Sequence, residues 1–112
     1  MTEPVIDEAV FDEVAILMGD TLSSFIETYL DNSPKLLAAM KGAIPAGDLE
    51  AVVHNAHQLK GGSGSIGGMR VFQLAKELEE DARQAKKDNF ARVFAELEAA
   101  YGMLAEELKR HM

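Results

Sequence analysis

His57, Lys60 and Gly61 combine a nucleophile, a cation and an open position within one short stretch of the sequence. An exposed imidazole has a pKa of about 6.5, so near neutral pH it is largely uncharged and nucleophilic without a buried base to activate it. A lysine three residues further along a helix lies on the same side and brings its ammonium near the ring, where it stabilises an anionic group. This pair of residue types fits a transient covalent carrier of a phosphoryl group.

The helix that carries His57 is predicted to hold it at the edge of an apolar face. At about 100° per residue, the apolar residues at 49, 52, 53, 56 and 59 share one narrow sector, and His57 falls beside it. Gly61 and Gly64 follow on the same side of the helix and leave the ring sterically open. Because a glycine inside a helix costs roughly 1 kcal/mol relative to alanine, these glycines indicate close approach by another macromolecule.

Helical periodicity runs through the whole sequence, and no segment has the period of two that is typical of strands. We predict a short opening helix, with Leu17 in its apolar stripe, and four longer amphipathic helices. The predicted ranges are 7–18, 22–44, 49–63, 69–86 and 90–108. Short links between such helices favour an all-α fold, an antiparallel four-helix bundle with a short additional N-terminal helix.

The helix ends carry their own signals. Asp20, Asp48 and Asp88 are predicted N-caps, because an aspartate side chain accepts hydrogen bonds from the first free backbone N–H groups. Ser33-Pro34 leaves two alternatives for the second region, a kink in one helix or the start of a new helix. The methionines are predicted to fill the core, at positions 18, 40, 69 and 103.

Composition narrows the classes of protein. The 112 residues, 47% of them hydrophobic and 27% charged, predict one globular domain over 1–112. The absence of cysteine excludes a disulfide framework and a thiolate zinc site. A net charge of −8 disfavours binding to nucleic acid or to an anionic membrane, so we expect a protein partner. The sequence has neither a signal-peptide pattern nor a long apolar run, and we expect a cytoplasmic protein.

The run 56–63, with His57, Lys60 and Gly61 inside it, resembles the signature of the histidine-containing phosphotransfer (HPt) domain family. The resemblance extends over nearly the whole chain in helix order and length and is most distinctive over about 54–79. It implies a phosphorelay intermediate. In such a relay, His57 accepts a phosphoryl group from an aspartate in the receiver domain of a hybrid sensor kinase and passes it to the receiver domain of a response regulator.

The same resemblance assigns individual roles. Lys60 supports the charge of the phosphoryl group, Gly61 gives access to the histidine, and Gly67 shapes the turn into the following helix. Glu79 aligns with a polar residue that orients the histidine, where some members have glutamine. A carboxylate there can hydrogen-bond the non-reacting ring nitrogen, but it repels a nearby phosphoryl group. The family resemblance also implies a phosphocarrier without a kinase domain, and we expect a free-standing monomer that binds no cofactor, with magnesium on the receiver.

A receiver must bury apolar surface near His57, since interfaces commonly have a hydrophobic centre and a polar rim. The sequence pattern does not separate such contacts from core residues. The predicted partner contacts are Leu22, Phe25, Ile26, Gln58, Gly64, Met69 and Phe72.

Two other functions remain as alternatives. The first is a non-catalytic bundle that regulates a kinase or a receiver by docking alone. The second is a small metal-binding bundle that uses His54, His57 and Glu50, although one helix supplies only an incomplete set of ligands. Residues 62–67 match G-x-G-x-x-G, but a predicted helix rather than a strand precedes them, which excludes the dinucleotide-binding motif.

Overall fold

The computed structural model describes residues 4–112 and contains no strand within that range. Its elements are α1 (Glu8–Met18), a 3₁₀ turn (Gly19–Thr21), α2 (Leu22–Ala46), α3 (Leu49–Ser65), α4 (Met69–Arg83) and α5 (Phe90–Lys109). The predicted all-α fold, with four long helices and a shorter N-terminal one, is confirmed.

Helices α2 to α5 form the bundle. Helix α3 packs between α2 and α4, and α5 packs against both α4 and α2, which closes the ring of helices. Because short links join consecutive helices that pack side by side, neighbours run antiparallel. The largest fully buried side chains include Ile26, Met40, Leu59, Ile66, Leu78, Leu97 and Leu104. The core therefore draws on all four helices, and it fixes α3 and α4 firmly against each other.

Helix α2 continues through Pro34 without a break, so the alternative of a new helix at this proline is wrong. The Pro34 side chain is exposed. A proline removes one intrahelical donor, and packing of the apolar face of α2 on both sides of it, at Ile26 and Met40, offsets that loss.

Two of the three predicted N-caps are wrong, and α4 ends three residues earlier than predicted. Asp48 caps α3 as predicted and accepts a hydrogen bond from Ala51 N at 3.1 Å. Asp20 lies instead within the 3₁₀ turn, which leads directly into α2. Asp88 does not cap α5 either, because the residue at that end is Asn89. Helix α4 ends at Arg83, before the predicted 86, and the chain turns at Ala85, whose φ is 56°.

Helix α1 lies outside the four-helix ring, and Phe11 is its only buried residue. Leu17 is 81% exposed, so its predicted place in an apolar stripe against the core is wrong. Met103 is 61% exposed and is likewise not a core residue, whereas Met40 is fully buried as predicted. Helix α1 has few contacts with the rest of the fold, so it buries only a narrow stripe around Phe11, and this stripe does not extend to Leu17.

Within residues 4–112, none of the helices combines the length and the apolar character needed to cross a membrane.

Candidate functional site

His57 lies on α3 at the boundary between buried and exposed faces. Its side chain is 62% exposed, while Ala56 and Leu59 beside it are buried in the core. The apolar residues fix the helix backbone, and the imidazole projects from a rigid base toward solvent. This is the position that the helical register predicts.

Glu79, on α4, contacts His57 across the helix pair. Its Oε2 atom lies 3.0 Å from Nδ1 of His57. Glu79 is one of the few buried polar residues and is only 4% exposed. The close packing of α3 on α4 brings together two residues that are 22 positions apart in the chain.

Two cations contact the Glu79 carboxylate, one at each of its oxygens. Lys60 Nζ lies 2.8 Å from Oε1. Arg83, one turn further along α4, donates from Nη2 and Nε to Oε2 at 2.8 and 3.2 Å. Oε1 is buried and accepts no hydrogen bond of good geometry, so the ion pair with Lys60 is its main stabilising contact. Sequence reasoning missed Arg83, although its i,i+4 spacing from Glu79 is a detectable signal.

The ionisation state of Glu79 determines the state of the His57 ring. Burial by itself raises the pKa of Glu79, but Lys60, Arg83 and His57 together more than offset it and hold the value at about 2. An ionised carboxylate only accepts hydrogen bonds. Nδ1 of His57 must therefore be the donor, and in the neutral ring the lone pair lies on Nε2. The arrangement leaves one nucleophilic nitrogen directed away from the buried carboxylate.

The glycines after His57 differ in what surrounds them. A Cβ atom placed on Gly61 would meet no atom within 4 Å, so the fold itself does not require glycine there. On Gly62 it would contact the Tyr29 ring at 3.4 Å, and on Gly64 the Phe72 ring at 3.0 Å. Gly62 thus allows close packing of α3 on α2, and Gly64 allows close packing of α3 on α4. Packing within the fold does not explain the glycine at position 61.

Gly67 forms the turn between α3 and α4, where its φ is +83°. Its carbonyl accepts a hydrogen bond from Asp7 N at 2.6 Å. A side chain here would be strained by the backbone and would also approach the Asp7 carbonyl, at 3.1 Å. The residue therefore anchors the N-terminal segment to the link that sets the spacing of α3 and α4.

A groove of about 290 Å³ runs between α2 and α3 beside the site, and its lining includes Phe25, Gln58 and Gly61. Most of the predicted partner contacts are accessible: Gln58 is exposed, and Leu22, Phe25, Gly64, Met69 and Phe72 are half-buried. Ile26 is the exception. It is fully buried, because one residue after Phe25 the helix has turned by about 100° toward the core, and the prediction that it contacts a partner is wrong.

The metal-binding alternative has no geometric support. In the part of the chain from residue 4 onward, no group of three or more His, Asp or Glu side chains is arranged to hold a metal ion. His54 Nε2 instead contacts Gln58 Nε2 at 2.9 Å, one turn further along α3.

Comparisons with known proteins agree with this geometry. The family model of the Hpt domain matches residues 24–107. The structure is similar to that of histidine-containing phosphotransfer protein B (HptB) from Pseudomonas aeruginosa, with a TM-score of 0.93 and 27% identity over 98% of this chain and 96% of that one.

Two plant structures share the fold. A candidate histidine-containing phosphotransfer protein from rice has a TM-score of 0.82 and 18% identity over 94% of this chain and 79% of that one. A histidine-containing phosphotransfer protein from maize has a TM-score of 0.81 and 19% identity, over 96% and 86% of the two chains. No curated protein sequence gives a significant match.

Proposed function

Because this chain belongs to the Hpt domain family, whose members carry phosphoryl groups in phosphorelays, we propose that His57 is the residue that carries the group here. The family is one of phosphocarriers rather than kinases. The observation that supports His57 most directly is the 3.0 Å contact between its Nδ1 and Glu79 Oε2, since it leaves Nε2 free and nucleophilic.

The transfer step follows from this tautomer. The Nε2 lone pair attacks the phosphorus of an aspartyl phosphate in line with the leaving oxygen, a P–N bond forms, and the P–O bond breaks to release the aspartate as a carboxylate. The ring keeps its Nδ1 proton and becomes cationic, facing the ionised Glu79. Passing the group onward reverses these events on a second aspartate, so the same geometry serves both directions.

The charges around His57 suit an anionic transferred group. Lys60 and Arg83 bring two positive charges to the one carboxylate of Glu79, so the cluster is net positive when the ring is neutral. The chain as a whole has a charge of −8. On a protein that is acidic elsewhere, this positive cluster is the place to which a phosphorylated, acidic partner site is attracted.

The partner in this proposal is a receiver domain that docks over the groove between α2 and α3. Phe25 and Gln58 line that groove, and Leu22, Met69 and Phe72 supply further half-buried apolar or aromatic surface. Gly61 lets the receiver approach without meeting a side chain. One such partner belongs to a hybrid sensor kinase and another to a response regulator, and each supplies its own magnesium ion. The carrier acts as a cytoplasmic monomer and binds no cofactor itself.

The test is phosphorylation of the purified chain by phosphoramidate, followed by intact mass and by the acid and alkali stability of the adduct. The chain is expected to take up one acid-labile, alkali-stable phosphoryl group, and His57→Gln is expected to take up none. His54→Gln is the matched control, because His54 is an exposed histidine on the same helix, outside the Glu79 cluster. Absence of an adduct on the folded chain would overturn the proposal and favour the docking adaptor.

A further inference from the structure

The negative charge of Glu79 adds a contact that a neutral side chain at the same position would lack. An amide at 79 could also hydrogen-bond Nδ1 of His57, but it would form no ion pair with Lys60. Here Lys60 Nζ lies 2.8 Å from Glu79 Oε1, and its side chain is 25% exposed. In the structure, the lysine one helical turn after His57 is therefore engaged by a carboxylate.

Moving Lys60 from Glu79 to a phosphoryl group has a cost. Oε1 is buried and accepts no hydrogen bond of good geometry, so without the ion pair to Lys60 it would lose its main stabilising contact. A buried charged group without a partner carries its full desolvation penalty. Arg83 does not relieve this cost, because the two nitrogens through which it contacts Glu79, Nε and Nη2, both donate to Oε2.

The second effect of the carboxylate acts through Oε2. After transfer the ring carries the phosphoryl group on Nε2 and a proton on Nδ1, and its positive charge faces Glu79. A negative acceptor stabilises this protonated form more than an amide does. The protonated ring is the better leaving group, because it departs as neutral imidazole.

From these two contacts we infer that Glu79 is a positioning residue that keeps the phosphohistidine short-lived, by withholding Lys60 from the phosphoryl group and by holding the proton on Nδ1. This inference rests on the proposed role of His57 and extends it. In the dephosphorylation step, an acceptor oxygen attacks phosphorus, the P–Nε2 bond breaks, and its electron pair returns to Nε2. With water as acceptor the products are inorganic phosphate, a proton released to solvent, and the neutral ring with Nδ1 still protonated.

The charged groups that face Glu79 come from the two helices of the site. Helix α3 contributes His57 and Lys60, and α4 contributes Arg83. Among the described residues, no ion pair reaches Glu79 from α1, α2 or α5. Glu79 and these three residues therefore form one charged cluster across the pair of helices.

The test compares wild type with Glu79→Gln after loading both with phosphoramidate and removing the donor. The half-life of the phosphohistidine is measured across a range of pH by intact mass. We expect Glu79→Gln to lengthen the half-life by about fivefold or more, because a hydrogen bond to a charged acceptor is stronger than one to a neutral acceptor by about this factor. The pH at which dephosphorylation slows is expected to move lower, by about one unit. Glu80→Gln is the matched control, since Glu80 is an exposed carboxylate on the same helix.

The Arg83→Gln variant tests the same inference independently, in case Glu79→Gln does not fold. Arg83 is 57% exposed, so its replacement disturbs the core little, and it leaves the Glu79 charge less neutralised. The half-life is expected to shorten and the pH of slowing to rise, opposite in sign to Glu79→Gln. In a Lys60→Gln background, the lengthening caused by Glu79→Gln is expected to be smaller, because no ammonium remains to be released.

The outcomes separate this inference from the proposed function. If wild type takes up no phosphoryl group, the role of His57 is wrong. If wild type is phosphorylated but folded Glu79→Gln has an equal or shorter half-life with the same pH profile, Glu79 does not control the lifetime and the inference is overturned, while the role of His57 stands. If Glu79→Gln does not fold, an unchanged profile in Arg83→Gln overturns it instead.

Discussion

Nδ1 of His57 and Oε2 of Glu79 lie 3.0 Å apart, although the two residues are 22 positions apart in the chain. The histidine side chain is 62% exposed and the glutamate side chain 5%. The contact therefore joins a solvent-facing ring to a buried charge, and it occupies one ring nitrogen while the other stays free. The packing of α3 on α4 thereby fixes which nitrogen can react.

The stability of the fold is expected to depend on the charge of Glu79. The folded-state pKa of Glu79, about 2, lies below its ordinary value of 4.5. Its stabilising contribution is therefore complete above the ordinary value and is lost as pH falls through the folded value. We expect Glu79→Gln to be less stable than wild type at pH 7, by up to about 3 kcal/mol. The difference should vanish between about pH 5 and pH 2.

Urea unfolding at a series of pH values measures this difference directly. Glu80→Gln controls for loss of an exposed carboxylate from the same helix and is expected to stay within about 0.5 kcal/mol of wild type at every pH. A Glu79→Gln difference that stays constant down to pH 2 would show that the charge of Glu79 does not stabilise the fold.

Replacing Gly61 by alanine is expected to stabilise the fold but to slow phosphoryl transfer to a receiver domain. A Cβ at Gly61 meets no atom within 4 Å, and alanine favours a helix over glycine by about 0.5–1 kcal/mol. The variant should be more stable and still react with phosphoramidate, but transfer to a receiver domain should slow at least about tenfold. Gly42→Ala is the control, because its Cβ is equally unobstructed on α2. Equal transfer rates for the two variants would contradict a role for Gly61 in docking.

Phe25 and Ile26 are adjacent in sequence but are expected to have different functions. Ile26 is fully buried, so Ile26→Ala should destabilise the fold by about 2–4 kcal/mol. Phe25 is half-buried and lines the groove beside the site, so Phe25→Ala should cost less stability and weaken receiver binding. Urea unfolding and titration with a receiver domain give the two values. A Phe25→Ala variant that binds as tightly as wild type would place the docking surface elsewhere.

A glycine in the turn after α4 is expected to stabilise the fold. Ala85 has a φ of 56°, a left-handed conformation that costs a residue with a Cβ about 1 kcal/mol. Ala85→Gly should therefore raise the free energy of unfolding by about 0.5–1 kcal/mol. Ala99→Gly, at an exposed position inside α5, should lower it by a similar amount. Destabilisation by both glycines would show that the turn is not strained.

The fold could be predicted from the sequence because the apolar residues recur with a helical period in each of the five segments. The ends of the helices could not be predicted as well. Asp20 has the right type for an N-cap, but the chain forms a 3₁₀ turn there and enters α2 without a side-chain cap. Helix α4 stops early because Ala85 takes a left-handed conformation that alanine seldom adopts.

The site could be predicted in part. The spacing of His57, Lys60 and Gly61 is local and is readable on one helix, and the family resemblance pointed to Glu79 on the next. Arg83 was missed because an arginine four residues after a glutamate is a common solvent-exposed pair. Its importance depends on Glu79 being buried, which is a consequence of how α3 packs on α4. Ile26 was placed wrongly for a similar reason, since the rotation of α2 about its own axis is set by tertiary contacts.

The most direct test of the account is to identify the phosphorylated nitrogen by NMR of the ¹⁵N-labelled chain before and after reaction with phosphoramidate. Before reaction, His57 is expected to carry its hydrogen on Nδ1, as the contact with Glu79 requires. After reaction, the phosphoryl group is expected on Nε2 of His57, with His54 and His111 unchanged. A phosphoryl group on Nδ1 of His57, or on another histidine, would contradict the claim that the fold leaves one nitrogen of His57 free to carry it.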